Sequence, residues 1–170
     1  MFQKSSKLIK KKLMIRADVL VGNKSWKKHI KLPSFHINKK LKKIDEKLNI
    51  FKKNNYNFTI LLSASSEVKK LNNKFRKKNK TTDILSFPFY KKKFLNELEK
   101  KKPNQIYLGD IIINLNKIKS VVKNKNNNFI LEFDRIWIHG LAHLLGYRHK
   151  SNHDFSIMTK LENKLIKYSK

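Results

Sequence analysis

Three of the six histidines in this chain fall within one short stretch, as His139-x3-His143-x5-His149. Residues four apart on an α-helix lie about 40° apart around its axis and one turn apart along it. The imidazoles of His139 and His143 can therefore converge on one ion. Continuing the helix would aim His149 elsewhere, but Gly146 stands between. Glycine readily takes the left-handed backbone that ends a helix, so the chain can turn and bring His149 back as a third ligand. Three neutral imidazoles with one open position is the usual plan of a catalytic zinc site. The surrounding Ile136, Trp137, Ile138, Leu141 and Leu144 make this helix apolar nearly all round, as a buried helix is. Unpaired imidazoles there would be costly, and a shared metal removes that cost. The spacing predicts one Zn2+ per chain on His139, His143 and His149.

The same spacing discriminates between chemistries. Zinc peptidases of one large class read H-E-x-x-H-x-x-G-x-x-H, with the Glu as general base of peptide hydrolysis. This chain matches every position but that one, where Gly140 stands. The cage is hydrolytic in type and the peptidase base is missing, so the substrate is expected to be something other than a peptide.

The elements that must position these residues follow from pattern. A chain of 170 residues with 39% hydrophobic content can build one domain with a real core. Amphipathic spacing predicts helices over 37–51, from Ser65 or Ser66 to about 78, over 117–123, over 129–145 carrying the histidines, and over 154–168. Strands are expected at 14–21 and 56–64, within 81–89 as a short strand ending at Pro88, and at 106–115 broken by Gly109-Asp110. Residues 1–14 read as a flexible basic arm and 90–104 as a mobile Lys-rich loop. The expected fold is a single α+β domain over 1–170, a small mixed sheet packed with helices around the central His-bearing helix.

Lys and Arg total 41 against 12 Asp and Glu, a net charge of +29. That field favours nucleic acid or another polyanion. Nearly all the cations are lysine, and Asn and Ile are also frequent, as coding bias towards A and T produces. The sign of the charge is thus informative and its size is not. With no cysteine, disulfides and thiolate ligands are excluded, and any metal must use N and O ligands. The basic start lacks the apolar core of a signal peptide, and no apolar stretch is long enough to span a membrane. A soluble cytoplasmic protein is expected.

Three stretches together resemble one family. The tract from Leu71 through Phe75-Arg76 to Thr82-Asp83-Ile84-Leu85-Ser86-Phe87-Pro88 is similar to the LN-x-x-YR-x-K-x-x-PTDVLSFP signature of the YbeY family. Leu108-Gly109-Asp110-Ile111 resembles its LGDI strand, and His139 to His149 resembles its HGxLHLLGYDH motif. The tail from Ile157 to Glu162 fits its last helix, so the likeness covers roughly residues 15–168. The resemblance implies a metal-dependent, single-strand-specific endoribonuclease of ribosomal RNA maturation and ribosome quality control, forming the 3′ end of the small-subunit ribosomal RNA. Single-stranded and ribosomal RNA are the implied partners, with the small ribosomal subunit and its proteins beside them. It also implies metal ligation by His139, His143 and His149 and catalytic roles for Arg76 and His139.

The chain departs from the signature at Arg148, where Asp is usual beside the third histidine, at Phe75 for Tyr, at Thr81 for Pro and at Ala142 for Leu; His153 also stands where acidic residues are common. Arg148 leaves open what orients the imidazoles. Chemistry supports the carry-over of Arg76, one of only four arginines. A guanidinium forks onto phosphate better than an ammonium does. From spacing alone, Arg76 would read as one more exposed helical cation. Asp83 and Ser86 are candidates for lining the substrate cleft, and equally for capping a turn. Two other functions compete. One is a non-nucleolytic, metal-stabilised RNA-binding ribosome assembly factor, whose mark would be a closed fourth ligand, His153 being the candidate. The other is a metallopeptidase, against which Gly140 argues.

Overall fold

The computed structural model describes residues 14–51, 54–125 and 127–170. All but the last residue of the predicted N-terminal arm lies outside these. Four strands form one sheet in the order β1-β2-β4-β3. β1 (Ile15–Val21), β2 (Tyr56–Ser63) and β4 (Ile106–Asn114) run parallel, and β3 (Ile84–Pro88) pairs antiparallel to β4 at the edge. The architecture is the expected α+β fold with a mixed sheet.

Alternation builds the inner face. Phe58, Ile60 and Leu62 of β2 are fully buried, as are Ile15 of β1 and Ile111 and Ile113 of β4. Against them pack α1 (Pro33–Lys47) and α5 (Phe129–Leu144), with α6 (Asn152–Ser169) laid over both. Trp26, Phe133 and Trp137 fill the space between. α4 (Leu115–Lys125) also touches α5. α2 (Ser65–Arg76) lies on the other face and buries only a small satellite of Val68, Leu85 and Ile112.

Caps explain the helix starts. Asn128 accepts from the Ile130 and Leu131 amides at the head of α5, and Ser151 accepts from Asp154 at the head of α6. Pro33 opens α1 with its pre-set φ. No serine caps α2: Ala64 occupies the cap position, and Ser65 is the first helical residue, its hydroxyl given to Asn114.

Two expectations need correction. Residues 90–104 are not a loop, because Lys92–Lys100 form a helix, α3. Its Leu95 is buried, and Leu98 packs on the core one turn later. Gly109-Asp110 does not break β4 either. The strand runs through it with a bulge, Asn57 and Thr59 of β2 facing Tyr107 and Asp110 of β4. Gly109 sits at φ +128°, and a Cβ there would lie 2.1 Å from the Phe87 carbonyl oxygen, so β3 can approach only a glycine.

Candidate metal centre and cleft

α5 ends as the sequence predicts. Gly146 takes φ +84°. Its amide donates to the His143 carbonyl, and the Tyr147 amide to the Ala142 carbonyl, the paired bonds of a Schellman motif. A Cβ on Gly146 would meet Lys92 at 2.7–3.1 Å. The α3 helix overlooked in the sequence thus closes this corner. Lys92 Nζ donates to the Leu145 carbonyl at 2.8 Å and lies over the Tyr147 ring.

The turn also orients a ligand. The Tyr147 carbonyl comes back within 3.0 Å of His143 Nδ1. On the other imidazole, His139 Nδ1 lies 2.8 Å from Glu162 Oε1 on α6. A carbonyl and a carboxylate both accept, so each histidine carries its proton on Nδ1. Each Nε2 is then a bare lone pair, and the two Nε2 atoms face each other at 3.1 Å. Two lone pairs at that distance repel unless a cation lies between them. Ligands about 2.0–2.1 Å from a tetrahedral zinc ion stand roughly 3.3–3.4 Å apart, close to the observed spacing. His149 completes the group, and one nitrogen from each of the three rings lies within 4.8 Å of the others. Burial, with His139 and His149 adding to it, outweighs the Tyr147 carbonyl and holds the His143 pKa at about 4. The ring is neutral at pH 7, the form that binds metal. The donor set fits a divalent ion of the zinc type, and three histidines are the whole of this group among the described residues.

The carboxylate that orients an imidazole therefore comes from Glu162. Arg148, the departure from the family signature, leaves the two helical histidines oriented. His153 stands exposed in the first turn of α6, outside the three-histidine group.

Beside the histidines lies a cleft of about 620 Å³. It brings together the three metal-ligand candidates and the catalytic and substrate candidates: Arg76, Asp83 and Ser86 line it along with His139, His143 and His149, while His153 does not. Arg76 projects from the last turn of α2, which ends at Lys77 in the left-handed region. Buried Asn72 ties the following turn down by donating to the Lys80 carbonyl. Asp83 has one oxygen engaged locally, accepting from the Thr82 hydroxyl and the Ile84 amide. The turn-capping reading holds for that oxygen. Ser86 Oγ differs: it is buried and has no partner among the described residues, a hydroxyl left over for something in the cleft.

Sequence reasoning missed three contributors. Glu162 lies 23 positions from the histidine it holds. Asn114, fully buried, donates to Thr81 and to the Thr82 carbonyl and so fixes the strand entry that carries Asp83. Gly140 does more than lack a carboxylate. A Cβ there would lie 2.8–3.0 Å from Ile84 and Ile111. The position faces the sheet, with no room for the general base of a peptidase.

Comparison with known proteins shows the family and the fold. Residues 21–170 match the family model described as Endoribonuclease YbeY. A relative of that name from Pelagibacter ubique is 42% identical over 164 residues, 92% of this chain and 97% of the relative. Another from Buchnera aphidicola, subspecies Acyrthosiphon pisum, is 42% identical over 133 residues, 77% of this chain and 81% of the relative. A Thermotoga maritima protein solved in solution superposes with a TM-score of 0.54 at 25% identity, covering 89% of both chains.

Proposed function

Since the chain belongs to the YbeY family of endoribonucleases, we propose that it is a zinc-dependent endoribonuclease that cuts single-stranded RNA. In this reading it processes ribosomal RNA, forms the 3′ end of the small-subunit RNA, and takes part in ribosome quality control alongside the small subunit and its proteins. The observation that carries the metal and the reaction is the meeting of two unprotonated Nε2 atoms in a cleft also lined by Arg76 and Ser86.

His139, His143 and His149 hold the ion. Zinc bound there supplies Lewis-acid polarisation of a phosphoryl oxygen and a nucleophile at neutral pH. Glu162 and the Tyr147 carbonyl keep both helical imidazoles in the ligating tautomer. Arg76 forks onto the phosphate and stabilises the charge that gathers in the transition state. Ser86 donates its spare hydroxyl to a substrate oxygen. Asp83 keeps one carboxylate oxygen for the turn and presents the other side of the group to the cleft. Lysines bring RNA to the surface in a salt-dependent way that ignores sequence. Among the described residues no helix is long and apolar enough to cross a membrane; the site of action in this reading is the cytoplasm.

A non-nucleolytic assembly factor with a structural metal would call for a closed fourth ligand. The exposed position of His153, outside the group, gives that reading no support. The test is cleavage of single-stranded RNA by the full chain with zinc, with chelator, and with zinc restored. Cleavage should stop and return. Cleavage indifferent to the chelator, or none with zinc bound, would overturn the proposal.

A further inference from the structure

The cleft does not end at the metal centre. β3 is the edge strand. Ser86 and Pro88 border the cleft, and Phe87 alternates to the sheet's outer face. Phe75 and Phe87 line both the cleft and a second depression of about 360 Å³ on that outer face. Their rings meet edge to face at 5.3 Å. Past Pro88 the chain still pairs with β4, the Phe89 amide donating to the Leu108 carbonyl. Phe89 therefore follows Phe87 on the same face, where its ring meets Tyr107 at 5.8 Å. The β4 bulge matters here. By skipping one residue of register it puts Tyr107 and Asp110 on one face, where the Tyr107 hydroxyl donates to Asp110 at 2.6 Å.

Phe87 is half-buried against Val68, Leu85 and Ile112, but the rings on either side of it are not core. Phe75 is 57% exposed and Phe89 64%, because α2 covers only part of this face. A run of exposed aromatic rings continuous with a catalytic cleft calls for a ligand. Asp110 lies in the middle of the face and would repel phosphate. A cation stands at the Phe75 end of the face, Lys74 Nζ lying 5.2 Å from the ring centroid. The face thus suits a ligand that offers flat apolar rings inward and anionic groups outward. Unpaired nucleobases on a single strand are such a ligand.

We propose that Phe75, Phe87 and Phe89 form a base-stacking platform for the nucleotides that flank the scissile bond, leading the RNA out of the metal cleft over the sheet's outer face. This rests on the endoribonuclease reading and adds where the substrate runs. It gives single-strand specificity a physical basis, since paired bases have no free face to offer.

Phe89→Ala is the informative variant, because Phe89 lies outside the cleft lining and its exposed ring can be removed without opening the core. The zinc-loaded full chain is mixed with RNAs carrying 2-aminopurine, one of about three nucleotides and one of about twelve, bracketing the footprint of such surfaces. Fluorescence is read on mixing, before turnover. Wild type should quench the probe in a flanking position of the longer RNA. Phe89→Ala should lose that quench and bind the longer RNA about 5- to 150-fold more weakly, the range typical of one lost stack. Phe89→Trp should retain both. The short RNA and a duplex of the long sequence should not distinguish the variants. Equal affinity and quench in wild type and Phe89→Ala would overturn the platform, and so would an equal loss on the short RNA. A wild type that binds with quench but never cleaves would overturn the endoribonuclease reading and leave the platform standing. A wild type that binds no RNA would overturn both.

Discussion

α5 carries two polar centres about one turn apart, one buried and one opening into the cleft, and they differ in completeness. At Asp134 both carboxylate oxygens are engaged. Oδ1 accepts from His36 Nε2 at 2.7 Å and Trp137 Nε1 at 3.0 Å, and Oδ2 from Lys40 Nζ at 3.1 Å. Burial pushes this carboxyl up, but the donors, His36 and Trp137 foremost, outweigh it and lower its pKa overall. At His139 and His143 only Nδ1 is taken, and the two Nε2 lone pairs point at each other. Nearby Ser86 Oγ is also without a partner among the described residues. The first centre is satisfied by the chain itself and holds α1 to α5. The second is satisfied only by something the chain must acquire. Polarity is common to both, and the two facing lone pairs left without a donor separate function from structure.

The largest expected effect falls on the complete centre. Asp134→Ala strands a partly buried lysine and histidine, and should cost about 3–5 kcal/mol of folding stability, measured by denaturant unfolding. Zinc content of the folded variant should remain that of wild type. If it fell in step with stability, the two centres would be one unit and the contrast would fail.

On the incomplete side, Arg76→Ala should lower single-turnover cleavage by roughly 10²–10³-fold with zinc content and fold intact. Arg76→Lys should rescue little, because an ammonium cannot make two parallel bonds. RNA affinity should fall far less than rate, since many lysines share the ground-state contact. A wild-type rate for Arg76→Ala would reduce Arg76 to another solvated cation.

Glu162→Gln sharpens the comparison at the seam between ligand and scaffold. Removing the carboxylate that holds His139 should weaken zinc binding or activity by about 10- to 100-fold, read by competition with a chelating dye. Stability without metal should change little, because Glu162 is not part of the packed core. Unchanged zinc affinity would mean that the Nδ1 contact does not set the tautomer.

The smallest effect is in acid. The folded pKa of Asp134 lies below its ordinary value, so its stabilising contribution is complete above about pH 4 and is lost as pH falls through the folded value. The stability gap between wild type and Asp134→Asn should be flat from about pH 5 to 8 and narrow only below 4. A gap that already closes between pH 6 and 5 would contradict a lowered Asp134 pKa.

The parts legible in the sequence were local and periodic. The i, i+4 histidines, the glycine turn and the alternation of β2 are set within a few residues, and local rules describe them. The missed parts come from packing. Glu162 reaches His139 only because α6 lies on α5. α3 was hidden by its lysines, although Leu95 and Leu98 stand at helical spacing and Lys92 braces the metal turn. Gly109 carried a true signal with two meanings, and a glycine that permits a bulge looks in sequence like one that ends a strand. Gly140 was read for the carboxylate it lacks, when close contact with Ile84 and Ile111 is what requires it.

Metal analysis of the purified full chain beside His139→Ala/His143→Ala tests the central claim most directly. The geometry predicts about one zinc ion per chain in the wild type and none in the double variant, with the Asp134 centre still holding the double variant folded by circular dichroism. Full metal content in a folded double variant would contradict it, and would mean that the two facing lone pairs are not where the ion binds.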